Sequence, residues 1–192
     1  MNRPAVLAVP RRRGARFTAE QYHAIAGTGV LDELGRTELV DGRIEVMSPQ
    51  HLPHSRMKVA LILAFGAALK DHPELELGGE ASVELGRRNV PEPDIFVYDR
   101  TDATGAAPGD AVRLIVEVAD NSEARDLGRK LRLYARHGIP EYWVAVLRTR
   151  TVERFVYPAD GAYGQHDSFG FDEAIASLTL PFITVPAGTL PG

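Results

Sequence analysis

Apolar and polar positions along this chain follow two periods, near 3.6 and near 2, and the switches between them mark out its elements. Thr18-Ala-Glu-Gln21 has capping-box spacing ahead of a short apolar run, which predicts a helix from Ala19 to Ala26. Thr37 to Val40 and Arg43 to Met47 alternate around Asp41-Gly42, a dipeptide that favours a type I′ turn, and predict a β-hairpin. After Pro53, Met57, Leu61, Ala64, Ala68 and Leu69 recur at helical spacing and stop before Pro73. Leu75 to Leu85 alternates again and predicts one strand. Asp94 to Tyr98 and Val112 to Val118 are β-rich runs joined by a Gly/Ala/Pro/Asp loop from about Thr101 to Asp110.

The clearest helix runs from Ser122 to His137, with Leu127, Leu131 and Tyr134 on one face and Gly138 as its stop. Glu141 to Leu147 and Thr151 to Tyr157 then read as two strands, and Ser177 to Val185 is weakly strand-like. Strands and helices interleave without repeats or an interdomain linker. The pattern predicts an α/β fold, a central mixed sheet flanked by helices. A single domain is expected over residues 17–186, preceded by a basic leader, 1–16, and followed by a tail, 187–192.

Composition narrows the class. The 192 residues contain no cysteine, so disulfides, thiol nucleophiles and cysteine-held zinc are excluded. No apolar run approaches the roughly 20 residues that span a bilayer, and the start lacks the apolar core of a secretory signal. A cytoplasmic protein without a membrane partner is expected. Charge is unevenly placed: Arg3, Arg11, Arg12, Arg13 and Arg16 precede any acid, whereas the remainder carries a balance of −9. The arginine cluster reads either as a solvated leader or as an arm that tracks a phosphate backbone. The acidic body argues against nonspecific coating of DNA but suits a metal-dependent site.

Three ionisable residues stand out by position. Asp94 follows Pro91-Glu92-Pro93 and opens the run Ile95-Phe96-Val97, so prolines fix the approach of a carboxylate at a strand mouth. Glu117 lies in Leu114-Ile115-Val116-Glu117-Val118, a run apolar enough to be buried on both faces. A carboxylate there needs a cation, a metal or a proton. Lys130, one of only three lysines beside nineteen arginines, lies in the helix that follows. Two carboxylates on neighbouring strands with a lysine nearby form a hard-oxygen site for Mg²⁺, suited to phosphodiester hydrolysis. The alternative is that Asp94 caps a turn, Glu117 pairs with an arginine and Lys130 is solvated.

Several blocks in order carry a resemblance: Thr37-Glu38-Leu39-Val40-Asp41-Gly42-Arg43-Ile44, Met47-Ser48-Pro49, His54, Pro93-Asp94, Val116-Glu117-Val118-Ala119-Asp120-Asn121-Ser122, Asp126, Lys130, Tyr134 and Gly138-Ile139-Pro140-Glu141-Tyr142-Trp143. In these the chain resembles the Uma-type restriction endonuclease family, assigned to the PD-(D/E)XK nucleases, across roughly Thr37 to Tyr163. The resemblance implies a restriction-endonuclease-like fold and cleavage of DNA with Mg²⁺ or Mn²⁺. It implies metal ligation by Asp94, Glu117 and the backbone carbonyl of Val118. The position of the motif lysine holds Ala119, and Lys130 resembles the relocated lysine of the family. Glu38 and Glu80 match acidic positions that would complete a second metal site or orient a water.

His54 and Asp126 are expected to support the site from behind, His54 near a helix start and Asp126 paired with Lys130 four residues on. The alternatives are a packing or capping histidine, a surface salt bridge for Asp126 and Lys130, and a solvated strand position for Glu38. Tyr134 and Trp143 are expected in the core. His51-Leu-Pro-His54 lacks further zinc ligands, and Gly27-Thr-Gly29 lacks the third glycine of a dinucleotide fingerprint. No phosphate-binding loop, G-x-S-x-G element or aromatic-rich RNA platform occurs. A homodimer is one expected assembly, because two-fold symmetry serves cleavage of both strands. Ala119 and the acidic body favour the competing class, a noncatalytic or partner-dependent binding or regulatory protein on a nuclease scaffold.

Overall fold

Strand β7, Val112–Ala119, organises the molecule. In the computed structural model, which describes residues 14–191, it lies inside a six-stranded mixed sheet. On one side it pairs antiparallel with β5, Ile95–Asp99, and on the other parallel with β8, Glu141–Val146. A parallel pair needs a crossover, which the helix after Ser122 supplies. β3, Leu75–Gly78, edges the sheet beyond β5. β9, Thr151–Ala159, and β10, Ala162–Gly170, extend it beyond β8.

Side-chain alternation along β7 divides the core between the two faces. Leu114, Val116 and Val118 pack under α2, Leu52–Ala68, through Met57, Leu61 and Phe65. Ile115 and Ala119 face the crossover helix, whose Leu133 and Tyr134 pack with Phe96, Tyr142, Val144 and Val146. Glu117 therefore stands on the crossover-helix face, and Asp94, one step before Ile95, shares the Phe96 side of β5. The sheet thus delivers both carboxylates to one face.

The crossover helix is irregular at a telling place. Arg125–Lys130 forms π-helical turns that run directly into α3, Leu131–Arg136. π-Helical insertions are frequent at functional sites. The wider turn leaves both Asp126 and Lys130 buried, each 1% exposed.

The predicted hairpin forms as β1, Thr37–Val40, and β2, Arg43–Val46, with Asp41 and Gly42 both at positive φ. Tyr22 of α1, Ala19–Ala26, donates its hydroxyl to Thr37 O at 2.7 Å, and Leu39 and Val90 exchange backbone hydrogen bonds. Those ties set β1 so that Leu39 packs with Ala19, Tyr22 and Val90 while Glu38 points the other way.

Three expectations need correction. Leu75 to Leu85 is two strands: β3 ends at Gly78, where an added Cβ would lie 2.3 Å from the Phe96 ring. Glu80 then takes φ 52°, and β4, Val83–Glu84, pairs parallel with β6, Ala107–Pro108, inside the stretch expected as a loop. Within Ser177 to Val185, only β12, Thr184–Val185, is a strand, paired with β11, Ile175–Ala176. β10 was not anticipated, because its Gln165-His166-Asp167-Ser168 centre offers no apolar alternation. The signal for it was Asp160-Gly161, the same turn chemistry as Asp41-Gly42, again with both residues at positive φ. The arginine-rich leader lies, through residue 13, outside the described residues. Near the other end, Leu190 is buried against the α2 side of the core.

Candidate active site

Asp94 and Glu117 meet at the floor of a cavity of about 240 Å³. Its walls are the segment between β2 and α2, including Ser48 and Gln50, the first turn of α2 with His54, and the segment after β7, including Asn121, Ser122 and Arg125. β5 pairs with β7 only as far as Ile95 opposite Val116, so the end of β7 is open on that side. Asp94 takes up the vacancy: its Oδ2 accepts the Val118 amide at 2.8 Å. The N–H and C=O of one strand residue point to the same side, so the Val118 carbonyl also faces the Asp94 side.

Asp94 is held from two further directions. His54 Nε2 lies 3.1 Å from Oδ2, and Gln50 donates its amide to Oδ1 at 3.3 Å. Burial pushes the Asp94 pKa up, but the His54 contact, the Val118 amide and the Lys130 charge outweigh it and hold it below the ordinary value. Asp94 is ionised.

Beneath Glu117 lies a second layer. Lys130 Nζ donates to Glu117 Oε1 at 2.8 Å and stands 3.2 Å from Glu38 Oε2. Tyr134 donates its hydroxyl to the same Glu117 Oε1, also at 2.8 Å. Both donors use Oε1, so Oε2 keeps its lone pairs. Glu38 is fully buried and its Oε1 has no hydrogen-bond partner. Asp126 accepts from Ser122 Oγ and from Arg125 Nε, not from Lys130 as expected.

One ammonium thus faces three buried carboxylates. Burial alone would lower the Lys130 pKa, but Glu117, Glu38 and Asp126 raise it, so the lysine stays charged. The surplus negative charge falls on Glu117. Burial, with Asp126 and Asp94 nearby, pushes its pKa up to about 8 against the opposing pull of Lys130. A proton is what this carboxylate takes when no further cation is supplied.

These contacts replace the alternatives of a solvated Lys130, an arginine-paired Glu117, a solvated Glu38 and a surface pair at Asp126. Asp94, Glu117, Val118, Lys130, Glu38, His54 and Asp126 come together. Glu80 does not: it is no part of the cavity lining and pairs with Lys58 and with Arg36, the latter at 2.9 Å. Among the described residues no three His, Cys, Asp or Glu side chains converge as a ready-made cation cage. Hard oxygens beside the cavity include Asp94 Oδ1, Glu117 Oε2 and the Val118 carbonyl, and Asp120 adds a further carboxylate to the lining. Such a set suits Mg²⁺ or Mn²⁺, ions that keep several waters and need few protein carboxylates. The unsatisfied charge at Glu117 fits a cation there.

The Uma2 family, described as "Putative restriction endonuclease", matches residues 19–187. The chain belongs to the Uma2 family. A solved structure, described as a putative nuclease belonging to DUF820 from Anabaena variabilis ATCC 29413, superimposes with a TM-score of 0.60 at 15% identity. The match covers 76% of this chain and 83% of that one, a likeness of fold. No curated protein matches in sequence.

In this Uma2 protein, sequence reasoning passed over three residues at the site. Gln50 and Arg125 border the cavity, but nothing local marks either one. Tyr134 is in the core as expected, yet it also fixes Glu117. Its place four residues after Lys130 was the available signal, since that spacing puts both on one helix face. Among the described residues no helix is long and apolar enough to cross a membrane.

Proposed function

We propose that this Uma2 protein is a divalent-metal-dependent endonuclease that hydrolyses DNA phosphodiester bonds. The observation that carries the proposal is the convergence of Asp94 and Glu117 on one cavity, with Lys130 bound to Glu117 from a different element. Membership of a family described as "Putative restriction endonuclease" supports the same reading.

In this reading Asp94 Oδ1, Glu117 Oε2 and the Val118 carbonyl hold Mg²⁺ or Mn²⁺. The ion, when bound, supplies polarisation of the phosphate and a water of lowered pKa. The protein does the positioning. The Val118 amide and His54 fix Asp94 through Oδ2, leaving Oδ1 toward the cavity. Lys130 and Tyr134 together fix Glu117 through Oε1. Glu38 balances Lys130 from below and contacts no substrate. Water attacks phosphorus and passes a proton to solvent, one P–O ester bond breaks, and the departing oxygen takes a proton from solvent to leave as a hydroxyl.

The test compares wild type with Asp94→Asn on linear, supercoiled and branched DNA in Mg²⁺, Mn²⁺ or EDTA. Cleavage by wild type, lost in EDTA and in the folded variant, is the expected result. A wild type that binds metal and DNA but cleaves nothing would shift the assignment to a noncatalytic or partner-dependent binding protein, the class Ala119 favours.

A further inference from the structure

The relocated lysine is in the wrong place to touch a phosphate. Lys130 is 1% exposed, its ammonium lies between Glu117 and Glu38, and it forms no part of the cavity wall. Moving it to a substrate would strip two buried carboxylates of their counterion, which buried charge strongly resists. Its reach toward developing negative charge is therefore short.

Another cation occupies the wall. Among the described residues, Arg125 is the only lysine or arginine that borders the cavity. Its guanidinium is anchored on one side: Nε donates to Asp126 Oδ1 at 3.3 Å, and Nη1 lies 3.8 Å from the otherwise unpartnered Glu38 Oε1. Nη2 has no hydrogen-bond partner among the described residues, and the side chain is 33% exposed. A planar, permanently charged fork held at one edge and open at the other suits a phosphate oxygen. The π-helical turn that begins at Arg125 buries Asp126 and leaves Arg125 at the wall.

We propose that Arg125, not Lys130, is the cation that contacts the substrate phosphate, while Lys130 is a positioning residue for Glu117. The inference rests on the nuclease reading and divides its cationic role between two residues. Arg125 meets a nonbridging oxygen of the reacting phosphodiester or of its neighbour, opposite the Asp94 and Glu117 carboxylates. Ser122 and Asn121, on the same wall, add neutral hydrogen-bonding groups.

The experiment uses the full chain and an end-labelled oligonucleotide duplex. Wild type, Arg125→Gln, Arg125→Lys and Arg125→Ala are compared in three measurements: single-turnover cleavage in Mn²⁺, duplex binding in Ca²⁺ across a salt series, and Mn²⁺ titration without DNA. Arg125→Gln is expected to cleave about 100-fold more slowly, the usual cost of one lost charge-stabilising donor. Its slope of log affinity against log salt should fall by about 1, the signature of one lost phosphate contact. Arg125→Lys should keep the slope, all variants should keep Mn²⁺ affinity, and free guanidinium ion should partly restore Arg125→Ala.

A folded Arg125→Gln with wild-type rate and slope would overturn the proposal. So would a slow variant with an unchanged slope and no guanidinium rescue, because Arg125 would then act only on Asp126 and Glu38. A wild type that neither binds nor cleaves the duplex sinks the nuclease reading and takes this inference with it.

Discussion

Lys130 Nζ meets Glu117 Oε1 at 2.8 Å across the turn from β7 into the crossover helix. Ala119, on the same side of β7 and fully buried beneath Leu133 and Tyr134, leaves that turn's helix room to pack closely. The ammonium beside Glu117 thus comes from the crossover helix and not from β7, where position 119 is an alanine.

Breaking that pair should be costly. Lys130→Met leaves Glu117 and Glu38 buried without their ammonium, and removing one member of a buried ion pair typically costs about 3–5 kcal/mol. Urea unfolding should show a loss of that size. The double variant Lys130→Met/Glu38→Gln should recover part of it, since one of the abandoned charges is gone. A double variant no more stable than the single one would place Glu38 outside the network.

The elevated Glu117 pKa has a consequence for stability. Its folded value of about 8 lies above the ordinary 4.5, so the folded state holds a proton that the unfolded state releases between those limits. The stabilising contribution is fully present below about 4.5 and is lost as pH rises through 8. Metal-free wild type should therefore lose stability over that window relative to Glu117→Gln, which has no proton to lose. Parallel pH profiles for the two proteins would contradict the shift.

Metal binding should run the other way. A cation at Glu117 displaces that proton, so Mn²⁺ affinity should rise with pH up to about 8, approaching tenfold per unit. Calorimetry in two buffers of different ionisation enthalpy should show close to one proton released per ion near pH 7. No buffer dependence would mean that the ion binds without Glu117.

His54 contacts Asp94, a metal ligand in the proposed reading. His54→Ala removes the 3.1 Å contact to Oδ2 and should weaken Mn²⁺ binding by roughly 10–100-fold, the range seen for lost partners of metal ligands. His54→Gln, which retains an N–H donor, should recover part of the loss. Equal affinity in all three proteins would reduce His54 to packing.

Far from the cavity, Glu141 is a buried carboxylate with a structural task. It accepts from Trp143 Nε1 at 2.6 Å, from Ser177 Oγ at 2.7 Å, and from the Thr179 amide at 2.9 Å. Glu141→Ala should leave these donors unpaired and cost more than about 3 kcal/mol, at about 1–3 for each buried group abandoned. Amide exchange should quicken first across residues 177–190, and metal affinity should not change.

Local chemistry alone made most of the scaffold readable. The 3.6-residue spacing of Met57 and Leu61 marked α2, the apolar runs around Glu117 and Trp143 marked the sheet centre, and Asp41-Gly42 marked the hairpin. These signals survive in sequence because turn geometry and one-sided burial constrain neighbouring residues directly. Glu117 was legible as a carboxylate where burial makes charge expensive, and Asp94 as one whose approach to a strand the neighbouring prolines fix. β10 was not, because an edge strand with polar residues owes its pairing to β9 rather than to its own pattern.

Sequence by itself determined the candidate carboxylates, the helix that carries Lys130 and the central strands around Asp94, Glu117 and Trp143. Tertiary structure decided which charges are satisfied. Glu80, expected at the site, pairs with Lys58 outside the cavity lining, whereas Glu38 was carried by β1 to a lysine far along the chain. Lys130 became inaccessible, and Arg125, unmarked in the sequence, became the cation at the wall. Burial of a charged group depends on partners brought from distant segments, and no local pattern records who those partners will be.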